Sequence, residues 1–426
     1  MKVISLSTEQ APLISIPLRF FITAPLFLLL AGIILVSGTG NPFASIHTPA
    51  LLAATHCITL GFMSMIMLGA THQILPVVVG RPMPISWLTA WLTFIPLALG
   101  ALLLSAGLML SKPVWLNLAW PLLGLAFITF ISASLMSLAQ APARNHTKTA
   151  ILLSILALAG TIALGMLLAH GHANGFLLPY AKLATAHIGL SLGGWIMLLI
   201  VGVSYQVVPM FQITPNYPEW LGIFLAPALF IVLLLSLLPL MPNSEQHRVT
   251  IFAQTLFWFL ASSFAVTTLI LQSKRRRRVA DATLSFFRLG MVSLICAAMF
   301  GLAPLFFPDI DHLAMLSAVL FLLGFAMSLM HGMLYKIVPF LVWFHLFRCG
   351  VKISVPNMKE IIAEKWMWRH LWLHCSTLIA AIFSLWWDMA VWLVSLGLLL
   401  QSIILGYSLV TAILLYKHIL KRIEVI

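Results

Sequence analysis

The chain has 426 residues with a net charge of +13; 62% of its residues are hydrophobic, only 8% are charged, and its mean hydropathy is +1.08. This composition excludes a soluble protein, because soluble domains carry about 25% charged residues. A nucleic-acid partner is not indicated either, since the basic residues lie in short loops between apolar segments. We therefore predict an all-α polytopic membrane protein with little mass outside the bilayer.

Apolar segments separated by turn-forming and charged residues predict twelve membrane-spanning helices in a single membrane domain over 1–426. Their approximate bounds are 16–37, 49–79, 85–106, 114–140, 149–169, 178–209, 218–241, 250–272, 285–306, 313–342, 369–387 and 390–416. The scattered cysteines, Cys57, Cys296, Cys349 and Cys375, form no CxxC pair, so neither a disulfide framework nor a thiolate metal site is predicted. No cleavable signal is expected, because the first apolar segment is long enough to span.

The distribution of Lys and Arg predicts that both termini are cytoplasmic. The loops on the side of the termini hold most of the basic residues, including the run KRRRR at 274–278, whereas the opposite loops hold Lys112, Arg248 and three aspartates. Basic loops face the cytoplasm under the positive-inside rule. We interpret the run at 274–278 as a topology anchor at an anionic lipid surface rather than as a partner-binding motif.

Three of the longest predicted helices, the second, sixth and tenth, share a motif. Aligned on Pro76, Pro209 and Pro339, they match without gaps over sixteen positions. The matched residues are Gly61, Gly194 and Gly324; Phe62, Trp195 and Phe325; Gly69, Gly202 and Gly332; His72, Tyr205 and Tyr335; and Gln73, Gln206 and Lys336. The prolines are 133 and 130 residues apart, with four predicted helices in each interval. The sequence thus predicts three pseudo-symmetric four-helix units, approximately 14–145, 146–280 and 281–420.

Close helix packing explains the glycines of this motif, and helix termination or kinking explains its prolines. It does not explain two histidines, His56 and His187, which lie twenty and twenty-two residues before the prolines of their copies. The third copy has Ser317 and Val319 at these two positions.

Twelve spans in three four-helix arcs, with a histidine near the outer end of the second helix, resemble subunit I of the heme-copper oxidases and nitric oxide reductases. The segment ATHCITLGF…LGATHQILP at 54–76 is similar to the second-helix segment of that superfamily, in which a histidine ligates heme b. By its size, the chain looks most like the NnrS-type branch, membrane proteins that contain heme and copper and are linked to nitric oxide stress. The resemblance implies heme b as cofactor, with copper as a second candidate.

The sequence departs from the active oxidases in two helices. The tenth helix has Ser317 and Val319 where a His-x-His pair is expected, and the seventh contains no histidine. The resemblance therefore implies neither a binuclear oxygen-reducing centre nor proton pumping.

A histidine within a membrane is costly unless it is paired, faces a cavity or binds a metal. His56 and His187 are both predicted about 10–13 Å inside the outer ends of their helices, so they can approach each other. Two neutral imidazoles suit the axial positions of heme iron, and they also suit copper. The alternative is that each histidine hydrogen-bonds a neighbouring helix and has only a packing role.

Further candidates lie at the predicted periplasmic rim. We interpret His170 and His172 as residues of a solvated loop; the alternatives are a copper site at these two residues, or His312 as a replacement heme ligand.

Two other groups of polar residues lie deeper. His72, Tyr205 and Tyr335, with His331 one turn away, are expected at one depth, either as a structural polar ring or as a proton or ligand path. His72 cannot share a metal with His56, because sixteen residues of helix separate them by about 24 Å.

His370 and His374 have an i,i+4 spacing that can hold zinc or copper. Their surroundings, EKWMWRHLWLHC, favour instead an interfacial girdle of aromatic and basic residues.

These residues predict a heme-binding protein of the bacterial inner membrane, with His56 as the foremost ligand and a role in nitric oxide handling or a related redox task. Its expected partners are the lipid bilayer and a cytochrome or another membrane subunit. The alternative is a heme or copper transporter or assembly factor on the same scaffold. The missing histidines disfavour a catalytic nitric oxide or oxygen reductase, and no soluble-type catalytic motif is present.

Overall fold

A computed structural model describes residues 12–240, 246–276, 279, 281–348 and 355–424. These ranges contain twelve long helices, a few single helical turns and no β-strand. The long helices are α1 (Ser15–Ser37), α2 (Pro49–Val79), α3 (Ser86–Met109), α4 (Pro113–Gln140), α5 (His146–Asn174), α6 (Tyr180–Gln212), α7 (Glu219–Leu235), α8 (Gln246–Ser273), α9 (Ala282–Leu302), α10 (His312–Arg348), α11 (Glu364–Phe383) and α12 (Ala390–Glu424). Arg277 and Arg278 of the basic run at 274–278, and Cys349, lie outside the described residues.

Each of the twelve predicted helices is found, and most of the predicted bounds agree with the observed ones within a few residues. Helix α12 extends eight residues beyond its predicted end, because its last turns are amphipathic and continue past the apolar segment. Helix α7 ends six residues early, at Leu235, and the chain passes into a short 3-10 turn at Leu238–Leu240. Pro239 lies in that turn, and proline cannot continue an α-helical hydrogen-bond ladder.

Ten helices in the described ranges are long and apolar enough to cross a membrane, which makes the chain an all-helical multi-pass membrane protein. Helix α7 is apolar but has only 17 residues. Helix α11 has Glu364, Lys365 and Arg369 in its first two turns and His370 and His374 after them, and these lower its hydropathy. The count of twelve crossings and the cytoplasmic termini stay predictions.

Helices α2, α6 and α10 are the most enclosed of the membrane-type helices. Each contains a π-helical segment, at Cys57–Ser64, Gly189–Ile196 and Leu320–Met327, and the three segments occupy matching positions of the repeat to within one residue. Because π-helical turns are rare, their recurrence shows that the three copies share a backbone conformation as well as a sequence motif.

Glycines let each central helix approach the first helix of its own predicted unit. A Cβ atom at Gly61, Gly194 or Gly324 would lie within 2.6 Å of the side chain of Phe27 in α1, Ala157 in α5 or Ser293 in α9, respectively. Only a residue without a side chain allows this approach, so these contacts account for the repeated glycines.

The first and last helices pack together. Helix α1 packs against α12, while helices adjacent in sequence, such as α3 and α4, α4 and α5, and α8 and α9, pack against each other. The outer helices therefore follow one another around the three central ones.

Side chains of α2, α6 and α10, together with Phe287 of α9, line an apolar cavity of about 60 Å³. Positions of the repeat line this cavity in all three copies, as two of them show. One position is occupied by Ile66, Leu199 and Leu329, and the other by Met67, Ile200 and Met330. The three central helices thus present the same repeat positions to a common centre, as a pseudo-threefold arrangement requires.

An ion pair ties α9 to α10. Asp281 caps α9 by accepting from the backbone N–H of Thr283 at 2.9 Å, and Lys336 donates to its other oxygen at 2.7 Å. Burial of Asp281 acts to raise the pKa of its carboxyl, but the pairing with Lys336 and the hydrogen bonds from Thr283 outweigh burial, so this pKa lies below its usual value.

Replacing Asp281 by Asn should lower the free energy of unfolding by roughly 1–3 kcal/mol at pH 7, because Lys336 loses its partner while the cap is largely kept. A carboxyl with a lowered folded-state pKa stabilises the fold above the unfolded pKa of about 4 and loses this effect as pH falls through the folded value. Thermal unfolding in detergent should therefore show a difference in stability between the unaltered chain and Asp281→Asn, and this difference should narrow as the pH falls from about 5 to about 3. A difference that stays constant over this range, or an equal effect of Asp309→Asn at an exposed site, contradicts the assignment.

Candidate histidine sites

His56 and His187 face each other across the boundary between the first and second predicted units. Each is the eighth residue of its helix and lies directly before or close to the π-helical segment. Their ring centroids are 6.5 Å apart, and their ring planes differ by 18°. The repeat equivalent of His56 is Gly189, not His187; this offset of two residues turns the second histidine by about 200° on its helix, so that the two rings can meet.

Backbone carbonyls fix the protonation of both rings. Nδ1 of His56 lies 2.8 Å from the carbonyl of Leu52, and Nδ1 of His187 lies 3.0 Å from the carbonyl of Thr161 in α5. A carbonyl only accepts, so in each ring Nδ1 carries the proton and donates. Nε2 of each ring is left with a lone pair, which is the arrangement found in metal-ligating histidines.

The separation of the rings matches one metal ion held between two imidazoles. An imidazole nitrogen binds a metal at about 2.0–2.1 Å, so the separation of 6.5 Å between the ring centroids would leave room for one ion. In the described part of the chain, no group of three or more His, Cys, Asp or Glu side chains is placed to hold a metal. His56 and His187 would each supply one nitrogen, either to copper or to the iron of a heme.

Gly165 in α5 provides the space beside His187. A Cβ atom at this position would lie 2.9 Å from Cε1 of the imidazole. The ring of His187 is thus held by α5 twice, through the Thr161 carbonyl and through contact with Gly165.

The interpretation of His170 and His172 as loop residues is wrong, because both lie inside α5, which continues to Asn174. Together with His312 they lie in surroundings separate from the His56–His187 pair. His170 contacts Trp120 and Phe176 at ring distances of 5.2 Å, and its side chain is within 3.1 Å of the Asn174 amide. His172 is exposed, and His312 packs edge-to-face on Trp386. None of these contacts joins His170, His172 or His312 to the His56–His187 pair.

His72, Tyr205 and Tyr335 occupy equivalent positions of the repeat, but each interacts with different residues. His72 bonds the carbonyl of Leu68 at 2.9 Å and stacks on Phe20 of α1. The Tyr205 hydroxyl donates to the carbonyl of Leu221 in α7 at 3.3 Å. The Tyr335 hydroxyl lies 2.8 Å from Nδ1 of His370 in α11. The hydrogen bonds described for these residues therefore do not link the three into one ring.

His331, His370 and His374 form a buried cluster between α10 and α11. The centroid of the His331 ring lies 4.3 Å from that of His370 and 5.0 Å from that of His374. His374 is within 2.8 Å of both the Ser328 hydroxyl and the Gln401 amide oxygen. All three imidazoles are at most 1% exposed.

The interpretation of His370 and His374 as part of an interfacial girdle is wrong. Only the opposite face of α11 is of that kind, with Arg369 and Trp372 exposed. The sequence did carry a signal for the cluster, because His331 and Tyr335 repeat the i,i+4 spacing of His370 and His374 on the facing helix.

Replacing His374 by Leu should lower the free energy of unfolding by roughly 2–4 kcal/mol, since Ser328 and Gln401 would stay buried without this partner. Thermal unfolding of the purified protein in detergent measures the change. His418→Leu, at an exposed position of α12, is the matched control and should have little effect. Equal loss in both variants would show that the cluster has no special part in stability.

No protein-family model matches the chain, and no curated protein matches it either. The relation to the heme-copper oxidase superfamily therefore stays at the level of resemblance.

Proposed function

We propose that this chain is a multi-pass protein of the bacterial inner membrane that binds heme b through His56 and His187 and serves nitric oxide handling or a related redox role. All twelve long helices would cross the membrane, with both termini in the cytoplasm as the Lys and Arg distribution favours. The observation that carries the proposal is the paired geometry of the two rings, 6.5 Å apart, with each Nδ1 bonded to a backbone carbonyl.

The charge of the site favours heme over a bare divalent ion. The two ligands are neutral, and the hydrogen bonds described for them go to uncharged backbone carbonyls. A divalent ion between them would place two uncompensated charges in a low-dielectric interior, which is strongly unfavourable. A porphyrin contributes two negative charges of its own, so its iron leaves the site neutral or singly positive. Monovalent copper is the second candidate for the same reason.

A redox role is supported by the chemistry of heme iron as well as by the resemblance. His56 and His187 would hold the iron through one nitrogen each, and heme iron held in this way would supply one-electron redox chemistry. This arrangement suits electron transfer or sensing better than catalytic reduction of nitric oxide or oxygen. The resemblance in size to the NnrS-type branch supports the link to nitric oxide.

A transporter or assembly factor for heme or copper is the competing function on the same scaffold. It would use the same pair of histidines but would release its cargo. The two functions differ in whether the bound group stays with the purified protein and changes redox state.

His56→Ala and His187→Ala should each remove or convert the heme spectrum of the purified protein, because each variant loses one of the two nitrogens that would hold the iron. The measurement is the Soret band together with reduced-minus-oxidised α bands and pigment analysis. His72→Ala and His312→Ala are the controls, and both should keep the spectrum of the unaltered chain.

The outcomes separate the candidate functions. Heme that is retained and redox-active supports the proposal, whereas metal without heme, or a group lost during purification, supports the transporter. Turnover of nitric oxide or oxygen with an electron donor would favour the reductase. A protein that incorporates no heme when expressed with excess heme overturns the proposal.

Gly165→Val should disturb the same spectrum without removing a ligand. The new side chain would push against Cε1 of His187, weaken its bond to the iron and shift the heme toward a high-spin spectrum. Gly160→Val is the control on the same helix, because a Cβ there meets only the flexible end of Leu190. Identical spectra for both variants would count against His187 as a ligand.

A further inference from the structure

The apolar cavity where the three central helices meet has no part in the proposed function. Its volume is about 60 Å³, and four positions of the repeat contribute a side chain to its wall in every copy. The residues at these positions are Ile66, Leu199 and Leu329; Met67, Ile200 and Met330; Ala70, Val203 and Met333; and Ile74, Val207 and Ile337. Ile66 and Ile74 are eight residues apart, which is about 12 Å along the helix. The cavity thus follows the pseudo-threefold axis, and we call it the axial cavity.

The wall of the axial cavity offers little to hold water or an ion. No charged side chain and no histidine is among the lining residues that the structure describes. Two hydroxyls belong to this wall, those of Thr71 and Ser204, and the Thr71 hydroxyl already donates to the carbonyl of Met67 at 2.7 Å. A buried water needs roughly two to four polar partners. The axial cavity is therefore expected to stay dry.

The volume of the cavity limits the size of its ligand. Apolar cavities of roughly 150 Å³ stay dry and take up benzene or xenon. The axial cavity has less than half this volume, so it is too small for an aromatic ring or a quinone head group. It has room for a single xenon atom or a diatomic gas molecule.

The wall also presents surface that such a molecule can contact. Ala70, Val203 and Met333, at one position of the repeat, are only partly buried, although α2, α6 and α10 are the most enclosed of the membrane-type helices. Partial exposure in all three copies is expected of side chains that face an internal space. Met67, Met330 and Met333 supply thioether sulfur, which is polarizable and strengthens dispersion contacts with an apolar ligand.

We propose that the axial cavity binds a neutral diatomic gas, namely nitric oxide. Uncharged diatomic gases move from water into apolar surroundings because they make few or no hydrogen bonds. Nitric oxide and dioxygen share this chemistry; the choice between them rests on the proposed function, whereas the assignment of a gas site rests on the cavity alone. Ile66 follows His56 by ten residues, so the gas would lie about 15 Å from the proposed heme site along α2.

Xenon is the probe for the cavity itself. Crystals of the full chain under xenon pressure should show an anomalous peak between Ile66, Leu199 and Leu329. Ala70→Leu fills the cavity and should remove this peak, whereas Ala181→Leu, at an exposed position of α6, should leave it unchanged. Met333→Ala enlarges the cavity and should raise the occupancy of xenon, and this variant does not depend on a tightly packed substitution being tolerated. Absence of a peak in both the unaltered chain and Met333→Ala overturns the assignment.

Paramagnetic relaxation of methionine methyl groups tests the gas. Dioxygen and nitric oxide are both paramagnetic, so each should speed the relaxation of the labelled methyls of Met67 and Met330 in the full chain. Met83 and Met367 are the matched controls, because they are similarly buried but do not line the cavity. We expect the methyls of the wall to relax several-fold faster than the controls under nitric oxide in the absence of dioxygen.

The outcomes separate the two gases from each other and from the heme. A selective effect of nitric oxide supports the proposal, and a selective effect of dioxygen alone overturns the choice of nitric oxide. If neither gas acts more on the wall than on the controls, the assignment is overturned, even where xenon binds. None of these measurements requires heme, so a chain without a heme spectrum would overturn the proposed function while the gas site is decided by its own tests.

Discussion

A polar group inside a membrane has no water to bond, so its partners must come from the protein or from a bound molecule. The described interior largely follows this constraint. His56 and His187 use carbonyls for one nitrogen each, His374 uses Ser328 and Gln401, and Asp281 uses Lys336. The groups that depart from it, such as Nε2 of His370 and Oε1 of Gln272, mark the places where a further partner is to be sought.

The three copies of the repeat share their packing but differ in their polar chemistry. The glycine contacts and the π-helical segments recur in all of them. The facing histidines belong only to the first two copies; in the third, Ser317 at the position of His187 bonds the carbonyl of Ala297 instead. The third copy instead has the buried histidine cluster and the Asp281–Lys336 pair. Units that share their helix packing but differ in their buried polar residues can thus hold different sites.

Much of the fold could be predicted from the sequence, because long apolar segments and a gap-free repeat determine helices and their grouping. The approach of His56 to His187 followed from depth alone. The partner of the second ring could not be found in this way, since Thr161 acts through its backbone carbonyl, and any residue has one. The π-helical segments have no periodicity that distinguishes them from α-helix in an apolar stretch. Burial of His370 was missed because exposed tryptophan and arginine on the other face of α11 dominated its composition.

The π-helical segments of α2, α6 and α10 divide each central helix into two parts. The side chains of one part can change direction around the helix axis while those of the other part keep theirs. A π-helical turn takes up one extra residue, so conversion of such a turn to regular α-helix with the same number of residues would rotate the part before it by about 100° relative to the part after it. The azimuth of the imidazoles can therefore change in evolution while the helix contacts near the prolines stay in register. The direction in which the imidazoles point and the packing of the helix in the bundle can therefore change independently.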